Sequence, residues 1–261
     1  MYNTSNISVV ILVKNAQETI FECLDALRTF NEIILLDNLS SDETLQIAKQ
    51  FDNVKIFQSD FIGFGALKNL AISYAQNDWI LNIDSDEILE EEAIKQINTL
   101  KLDTHCIYAL SRKNYYDGEW IKACGWYPDF VNRLFNKTHT HFNNKEVHES
   151  LIISNHTKII HLQASLKHYT TKQISQMLDK MNSYTSLDAQ EHSAKKEGGG
   201  GGSMPMAILR FFWVFFKDYF LRSGWRYGYK GFIIAWINAN GSFFKYAKKY
   251  EKQKKAQCDE N

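Results

Sequence analysis

The chain has 261 residues, of which 44% are hydrophobic and 23% charged, and its formal net charge is zero. This composition is typical of a folded globular protein and excludes a disordered chain. Its four cysteines are scattered without a Cys-x-x-Cys spacing, which argues against a zinc site or a disulfide framework and fits a reducing compartment.

The neutral total hides an uneven distribution of charge. Residues 204–255 contain 11 Lys and Arg but only Asp218 and Glu251, together with 16 of the 36 aromatic residues. We find no signal-peptide pattern at the amino terminus and no apolar run of the ~20 residues that span a bilayer. We therefore expect a cytoplasmic protein, with no nucleic-acid partner, whose basic aromatic end contacts the membrane surface. The alternative is a pair of helices that packs on the rest of the protein.

The first 87 residues alternate between strand and helix patterns. Two runs rich in Ile, Val and Leu, residues 7–13 and 32–37, are typical of strands buried on both faces. Residues 54–57 and 79–83 are the third and fourth predicted strands. Between these predicted strands, the apolar residues recur at the spacing of a helix, at residues 16–30, 42–49 and 66–74. This alternation predicts an α/β fold with a parallel sheet and right-handed crossovers.

The pattern becomes less regular after residue 87. We expect a helix at 88–100, a strand at 106–112, a mixed sheet with long loops at 114–145, and an amphipathic helix at 172–190. The chain also has a run of five glycines at residues 198–202. Together with this run, the predicted elements divide the chain into four segments. They are two halves of a catalytic domain, residues 1–100 and 101–195, a Gly-rich linker, 196–203, and a helical tail, 204–261.

Two carboxylates stand where the fourth strand ends. Asp84 and Asp86 are poor strand formers, and the carboxyl ends of parallel strands face the ligand crevice of α/β proteins. Such a pair suits Mg²⁺ or Mn²⁺ and, through the ion, a diphosphate. The alternative is a turn in which Asp86 caps a helix that begins near Glu90.

Four segments in a fixed order give the chain a family likeness. Val9 to Asn15 ends the first strand, Asp37 to Thr44 follows the second, Gly63 to Asn69 precedes a helix, and Asp84-Ser-Asp86 ends the fourth strand. This arrangement resembles the family-2 glycosyltransferases of GT-A fold. The resemblance implies a Rossmann-like, mostly parallel central sheet flanked by helices, to which the sequence adds a C-terminal helical, membrane-associating extension.

The resemblance also implies a site for a UDP-sugar. Asp37 would accept the N3–H of uracil, while Val13 and Asn15 would line the base and ribose. Lys68 would lie near the diphosphate, although a solvated helix lysine is the alternative.

In the same resemblance, Asp84 would reach the ribose or the metal ion, and Asp86 would bind Mg²⁺ or Mn²⁺ directly. His168 would be a third metal ligand, as a late histidine is in several GT-A enzymes. A structural histidine is the alternative.

An inverting sugar transfer needs a base for the acceptor hydroxyl. Asp129, Glu146 and Glu149 are the candidates. The segments that contain Asp129 and Glu149 resemble bacterial transferases that add a sugar to the lipopolysaccharide inner core, and this likeness favours Glu149, with Asp129 next. Arg133 would anchor phosphate or substrate, or would be a structural ion-pair partner.

These interpretations predict a metal-dependent inverting glycosyltransferase. It would move a hexose, with glucose favoured, from a UDP-sugar to a lipopolysaccharide or lipooligosaccharide core. A lipid-linked or capsular precursor is an alternative acceptor, and a nucleotide-sugar-binding protein without turnover is an alternative function. A nucleotidyltransferase fits less well, because Val13 to Gln17 lacks the Gly-rich phosphate loop of that class.

Overall fold

A computed structural model describes residues 3–143, 149–171, 173–194 and 203–259. The chain forms two compact units. The first contains Met1–Lys113 and Pro128–Tyr169, and the second contains Asn114–Tyr127 and Thr170–Asn261. These limits differ from the predicted division at residues 100 and 196–203. The reason is that later strands complete the sheet of the first unit, while the C-terminal helices pack with a helix that precedes the linker.

The strands are β1 (Ile7–Val13), β2 (Glu32–Asp37), β3 (Val54–Gln58), β4 (Trp79–Asp84), β5 (Glu87–Leu89), β6 (Cys106–Tyr116), β7 (Glu119–Trp120), β8 (Phe130–Asn136) and β9 (Lys158–Thr171). The helices are α1 (Ile20–Ala26), α2 (Thr44–Ala48), α3 (Phe64–Ser73), α4 (Glu91–Thr99), α5 (Ile174–Ala194), α6 (Met204–Phe216) and α7 (Gly228–Asp259). A 3₁₀ turn, Asn3–Asn6, precedes β1. A π-helical turn, Lys217–Leu221, and a 3₁₀ turn, Gly224–Tyr227, lie between α6 and α7.

The sheet is mixed, with the strand order β3-β2-β1-β4-β8-β6-β9-β5 and with β7 paired to β6. The predicted parallel arrangement is confirmed for β1 to β4, in which Val13 lies opposite Asp37 and Leu12 opposite Asp84. The carboxyl ends of β1, β2 and β4 therefore meet at one edge. The expectation of a mostly parallel sheet is wrong beyond β4, because β4 and β8, β6 and β8, and β5 and β9 pair antiparallel.

Both faces of β1, β2 and β4 are largely buried, as their continuous apolar runs predict, whereas β3 at the sheet edge has only half-buried and exposed residues. All six residues of β2 are buried. One face, with Val9, Ile11 and Leu35, packs against α1, α2 and α4, and the other, with Val10 and Leu36, packs against α3.

The predicted helix at 88–100 begins later than expected, at Glu91. Residues 87–89 instead form β5, which pairs with β9 so that Glu87 lies opposite His168. The N-cap of α4 is Glu90, so the alternative in which Asp86 caps this helix is wrong. The predicted helix at 172–190 is present as α5.

The second unit shows how the basic aromatic segment folds. Helix α7 packs against α5 and α6, so residues 204–259 belong to a packed helical unit. The backbones approach closely where the 3₁₀ turn meets α7, since a Cβ on Gly231 would lie 1.8 Å from the carbonyl oxygen of Gly224. Among the described residues, none of the helices has both the length and the apolar content that crossing a bilayer requires. Association with a membrane remains a prediction.

At the amino ends of the parallel strands, one buried carboxylate joins several elements. Glu32 of β2 accepts hydrogen bonds from the hydroxyl of Ser8 in β1 and from the N–H of Gln76, at 2.8 Å in the latter case. It also forms an ion pair with Lys55 of β3, with Nζ 2.8 Å from Oε1. Burial raises the pKa of Glu32, but these partners stabilise the carboxylate and bring its pKa below the usual 4.5.

We expect Glu32→Gln to lower the free energy of unfolding by about 1–3 kcal/mol at neutral pH, because it removes the charge that Lys55 and Ser8 contact. Since the folded pKa of Glu32 is lowered, its contribution is fully present above pH 4.5 and is lost as the pH falls through the folded pKa. Urea unfolding at several pH values should therefore show the two proteins converging at low pH. Glu92→Gln is the control, because the Glu92–Lys95 pair is exposed. A constant difference across the pH range would contradict this account of Glu32.

Candidate active site

The loops that follow β1 and β2 are tied together at the carboxyl edge of the sheet. The N–H of Asn38 donates to the carbonyl of Val13 at 2.8 Å, and the N–H of Asn15 donates to Ser40 Oγ at 2.9 Å. Asn15 Oδ1 in turn accepts from the N–H of Ser41 at 2.9 Å. Asn15 adopts a φ of 51°, a left-handed conformation that asparagine tolerates better than most residues. The structure thus places Val13 and Asn15 beside the end of β2.

Asp37 lies at the same edge, but its side chain is fully buried. Its carboxylate accepts from the N–H of Ser40 at 3.1 and 3.2 Å and from Gln58 Nε2 at 3.0 Å. Asp37 therefore holds the loop after β2 in place. A carboxylate offers about four acceptor positions, so a base N–H would share Asp37 with these donors. Recognition of uracil by Asp37 remains a prediction.

Lys68 of α3 connects two of the predicted site residues. Its Nζ lies 3.3 Å from Asp84 Oδ1 and 2.8 Å from Glu149 Oε1. The same ammonium group lies 5.2 Å from the ring centroid of Phe142. Lys68 is buried, with a side-chain exposure of 8%, so the alternative of a solvated helix lysine is wrong.

Arg133 of β8 forms a second cationic contact with the end of β4. Its Nη2 lies 2.5 Å from Asp84 Oδ2 and 2.5 Å from Glu87 Oε1. Glu87 Oε2 also accepts from the N–H of Asp84 at 3.2 Å, so these two carboxylates are held in a fixed relation. Of the two roles considered for Arg133, the structure shows the ion-pair partner.

The pKa of Asp84 is lowered in this network, whereas the pKa values of Glu87 and Arg133 are raised. Burial disfavours the charged form of Asp84, but Arg133 and Lys68 outweigh burial and hold the pKa of Asp84 well below its usual value. Burial is the largest influence on Glu87 and raises its pKa, although Arg133 opposes this shift. For Arg133, burial acts against the charge, yet Asp84 and Glu87 raise the pKa of the guanidinium above its usual value.

Asp129 joins the same network through a different cation. Arg112 Nε lies 2.8 Å from Asp129 Oδ2, and Arg112 Nη1 lies 3.6 Å from Glu87 Oε1. The two favoured candidates for the base, Glu149 and Asp129, are therefore attached to one charge network. Glu149 is attached through Lys68 and Asp129 through Arg112. The third candidate, Glu146, lies outside the described residues.

Asp86 and His168 are brought together by the pairing of β5 with β9. His168 Nε2 lies 3.3 Å from Asp86 Oδ2, and the N–H of Tyr169 donates to the Asp86 carbonyl at 3.0 Å. The described part of the chain contains no group of three or more His, Cys, Asp or Glu side chains arranged to hold a metal ion. Mg²⁺ commonly takes one or two protein carboxylates and completes its coordination with water and substrate phosphates. The Asp86 carboxylate alone would supply that share of a Mg²⁺ or Mn²⁺ site.

Asp84 fits the predicted metal-ligand role less well than Asp86. One of its oxygens contacts Lys68 and the other contacts Arg133. A metal ion at Asp84 would have to replace one of these cations, so the structure favours Asp84 as the residue that orients Lys68 and Arg133. Direct coordination by Asp84 remains a prediction.

Two residues of the network were not predicted from the sequence. Glu87 is fully buried and Arg112 bridges it to Asp129. Glu87 directly follows the Asp84-Ser-Asp86 segment, and this position is the only sequence signal for its role. Arg112 has no local signal, because its partners come from other strands.

Similar proteins are found by sequence and by structure. An uncharacterized glycosyltransferase of Rickettsia typhi is 29% identical over 254 residues, which cover 93% of this chain and 86% of that protein. The poly(ribitol-phosphate) beta-glucosyltransferase of Bacillus spizizenii is 37% identical over 100 residues, or 34% of this chain and 16% of that enzyme. A solved structure, S. aureus TarS 1–349 in complex with UDP-GlcNAc, has a TM-score of 0.47 and 15% identity, covering 96% of this chain and 92% of that one.

A family model gives the assignment. The model described as Glycosyl transferase family 2 matches residues 8–161, which is more than half of the chain and includes β1 from its second residue, β2 to β8, Asp84, Asp86, Asp129 and Glu149. The chain therefore belongs to glycosyl transferase family 2.

Proposed function

We propose that the protein is an inverting glycosyltransferase that moves a hexose, with glucose favoured, from a UDP-sugar to a lipopolysaccharide or lipooligosaccharide core. Family membership supports the reaction class. The observation that carries the proposal is the position of Glu149, 2.8 Å from Lys68, which in turn contacts Asp84 at the end of β4. This contact supports Glu149 as the base, because Asp84 lies at the edge of the sheet where α/β proteins bind nucleotides.

The donor is proposed to bind with its nucleoside beside the ends of β1 and β2. Val13, Asn15 and Asp37 line this edge, and the two loops are fixed there by their mutual hydrogen bonds. Lys68 supplies positive charge near the diphosphate. The name of the Bacillus spizizenii relative, a beta-glucosyltransferase, supports glucose as the transferred sugar.

Glu149 is proposed as the base. It accepts the proton of the acceptor hydroxyl while the hydroxyl oxygen forms a bond to the anomeric carbon of the donor. The bond between that carbon and the diphosphate oxygen breaks, and its electron pair leaves with UDP. The Lys68 ammonium orients Glu149, whose side chain is 19% exposed. Asp129 is the second candidate because Arg112 orients it in a similar way.

Asp86 and His168 are proposed to hold Mg²⁺ or Mn²⁺. When bound, the ion would act as a Lewis acid that neutralises charge on the leaving diphosphate. The contact between these two side chains, with His168 Nε2 3.3 Å from Asp86 Oδ2, supports them as the ligands.

The acceptor is proposed to be lipid-linked and the protein peripheral on the cytoplasmic face of the membrane. The aromatic and basic composition of residues 204–255 supports this location. A lipid-linked or capsular glycan precursor would satisfy the same physical requirement.

If the proposal is correct, incubation with UDP-glucose, Mn²⁺ and a lipooligosaccharide core acceptor should release UDP as the acceptor hydroxyl takes the glucosyl group, and EDTA should abolish the release. Asp86→Ala should lower the rate more than about 100-fold, because it removes the carboxylate that would hold the ion. Asp52→Ala, an exposed carboxylate remote from the site, is the control. Release that is equally fast with EDTA would overturn the metal assignment. A panel of UDP-sugars with no release from any member would overturn the transferase.

Glu149→Gln should lower turnover by about 100- to 10,000-fold, because an amide cannot take the acceptor proton. UDP should still raise the melting temperature of this variant, since the nucleotide contacts are unchanged. Asp129→Asn is the matched variant, with the same change of a carboxylate to an amide on the other branch of the network. A large loss in Asp129→Asn together with normal turnover in Glu149→Gln would assign the base to Asp129.

A further inference from the structure

Helix α6 has apolar side chains around its whole circumference. From Met204 to Phe216 the only charged residue is Arg210. One side of the helix packs inside the second unit, where Phe211 contacts Trp236 with ring centroids 5.1 Å apart and Phe215 contacts Phe232 at 5.6 Å. A helix that is apolar all round normally has both sides covered.

The other side of α6 is exposed and continues through the π-helical turn. We call it the outer face; its members are Leu209, Phe212, Trp213, Phe216, Phe220 and Leu221. Leu209, Phe212 and Leu221 are 65%, 64% and 63% exposed. The members recur every one to four residues along a single helical stripe, so they form one patch. Apolar patches of this kind are uncommon on soluble proteins unless something binds them.

The segment that carries the outer face also carries basic side chains, of which Arg210 lies over the ring of Tyr246 in α7, 4.7 Å from its centroid. Arg210, Lys217 and Arg222 lie within the same stretch of helix, and Arg226 follows in the 3₁₀ turn, stacked on Trp225 at 5.3 Å. The only acid in this stretch, Asp218, is buried and accepts from Arg222 Nη1 at 3.2 Å and from Asn238 Nδ2 at 2.9 Å. The negative charge of Asp218 is therefore paired with Arg222 inside the second unit.

We infer that the outer face binds the surface of an anionic lipid bilayer, with its aromatic rings in the headgroup layer and the basic side chains of the same segment on lipid phosphates. A second copy of this chain is the other possible occupant. Pairing two such faces would bring two sets of basic side chains together, and that repulsion disfavours self-association. Trp, Phe and Leu together with Arg and Lys are the side chains typical of helices that lie in the membrane interface. This inference rests on the membrane location proposed above and names the face that would bind; its observations come from the second unit, so failure of the transferase reaction would not affect it.

The test is co-sedimentation of the full chain with phosphatidylcholine vesicles that contain or lack phosphatidylglycerol. The protein should bind the anionic vesicles and bind neutral vesicles weakly. Phe212→Ser with Trp213→Ser should weaken the binding to anionic vesicles more than about tenfold, because two aromatic side chains lose their apolar environment. Arg226→Glu should weaken binding to the anionic vesicles and leave binding to the neutral vesicles unchanged.

Ile152→Ser with Ile153→Ser is the matched control, because these apolar side chains of the first unit are similarly exposed, at 47% and 46%. Circular dichroism and UDP-induced stabilisation should be unchanged in all variants, which separates lipid binding from loss of fold and from the nucleotide site. Unchanged vesicle binding by the Phe212 and Trp213 double variant would overturn the inference. A wild-type dimer that this double variant converts to a monomer, without loss of vesicle binding, would assign the outer face to a second copy.

Discussion

The site depends on one buried cation, Arg133, held between Asp84 and Glu87. Its Nη2 contacts both carboxylates at 2.5 Å, and Glu87 has no exposed surface. Charges removed from water are costly unless they are paired, and breaking a buried pair typically costs about 3–5 kcal/mol. Removing any one of Arg133, Asp84 and Glu87 would therefore leave a buried charge with fewer partners. Because Arg133 belongs to β8 and Asp84 to β4, this interaction also joins the antiparallel part of the sheet to the parallel part.

The arrangement explains how carboxylates can be concentrated at one edge without excessive repulsion. Each cation contacts two acids: Lys68 contacts Asp84 and Glu149, and Arg112 contacts Glu87 and Asp129. The acids that are candidates for the base lie at the two ends of the network, while Asp84 and Glu87 lie at its centre. We interpret the central acids as groups that position the cations and the outer acids as groups that can meet substrate. Asp86, which the pairing of β5 with β9 brings to His168, is the proposed ligand for a divalent ion.

Much of the fold could be predicted because its signals are local. Strands β1 to β4 are short apolar runs separated by helical spacing, so their parallel order and the common edge of Val13, Asp37 and Asp84 follow from the sequence. The start of α4 could not be predicted, because Ile88 and Leu89 fit either a helix or a strand and only pairing with β9 decides between them. The partners of Arg133 lie 46 and 49 residues away on other strands, and no local pattern encodes that contact. For residues 204–259 the sequence predicted helices and interfacial character, but not the packing of α7 on α5.

The central claim is that the carboxyl edge of β1, β2 and β4 binds UDP with the help of a divalent cation. Isothermal titration calorimetry of UDP into the intact protein tests it most directly. We expect saturable binding in manganese-containing buffer and binding at least about tenfold weaker after the ion is chelated, a change of about 1.4 kcal/mol. An absence of measurable UDP binding in the presence of manganese would contradict it.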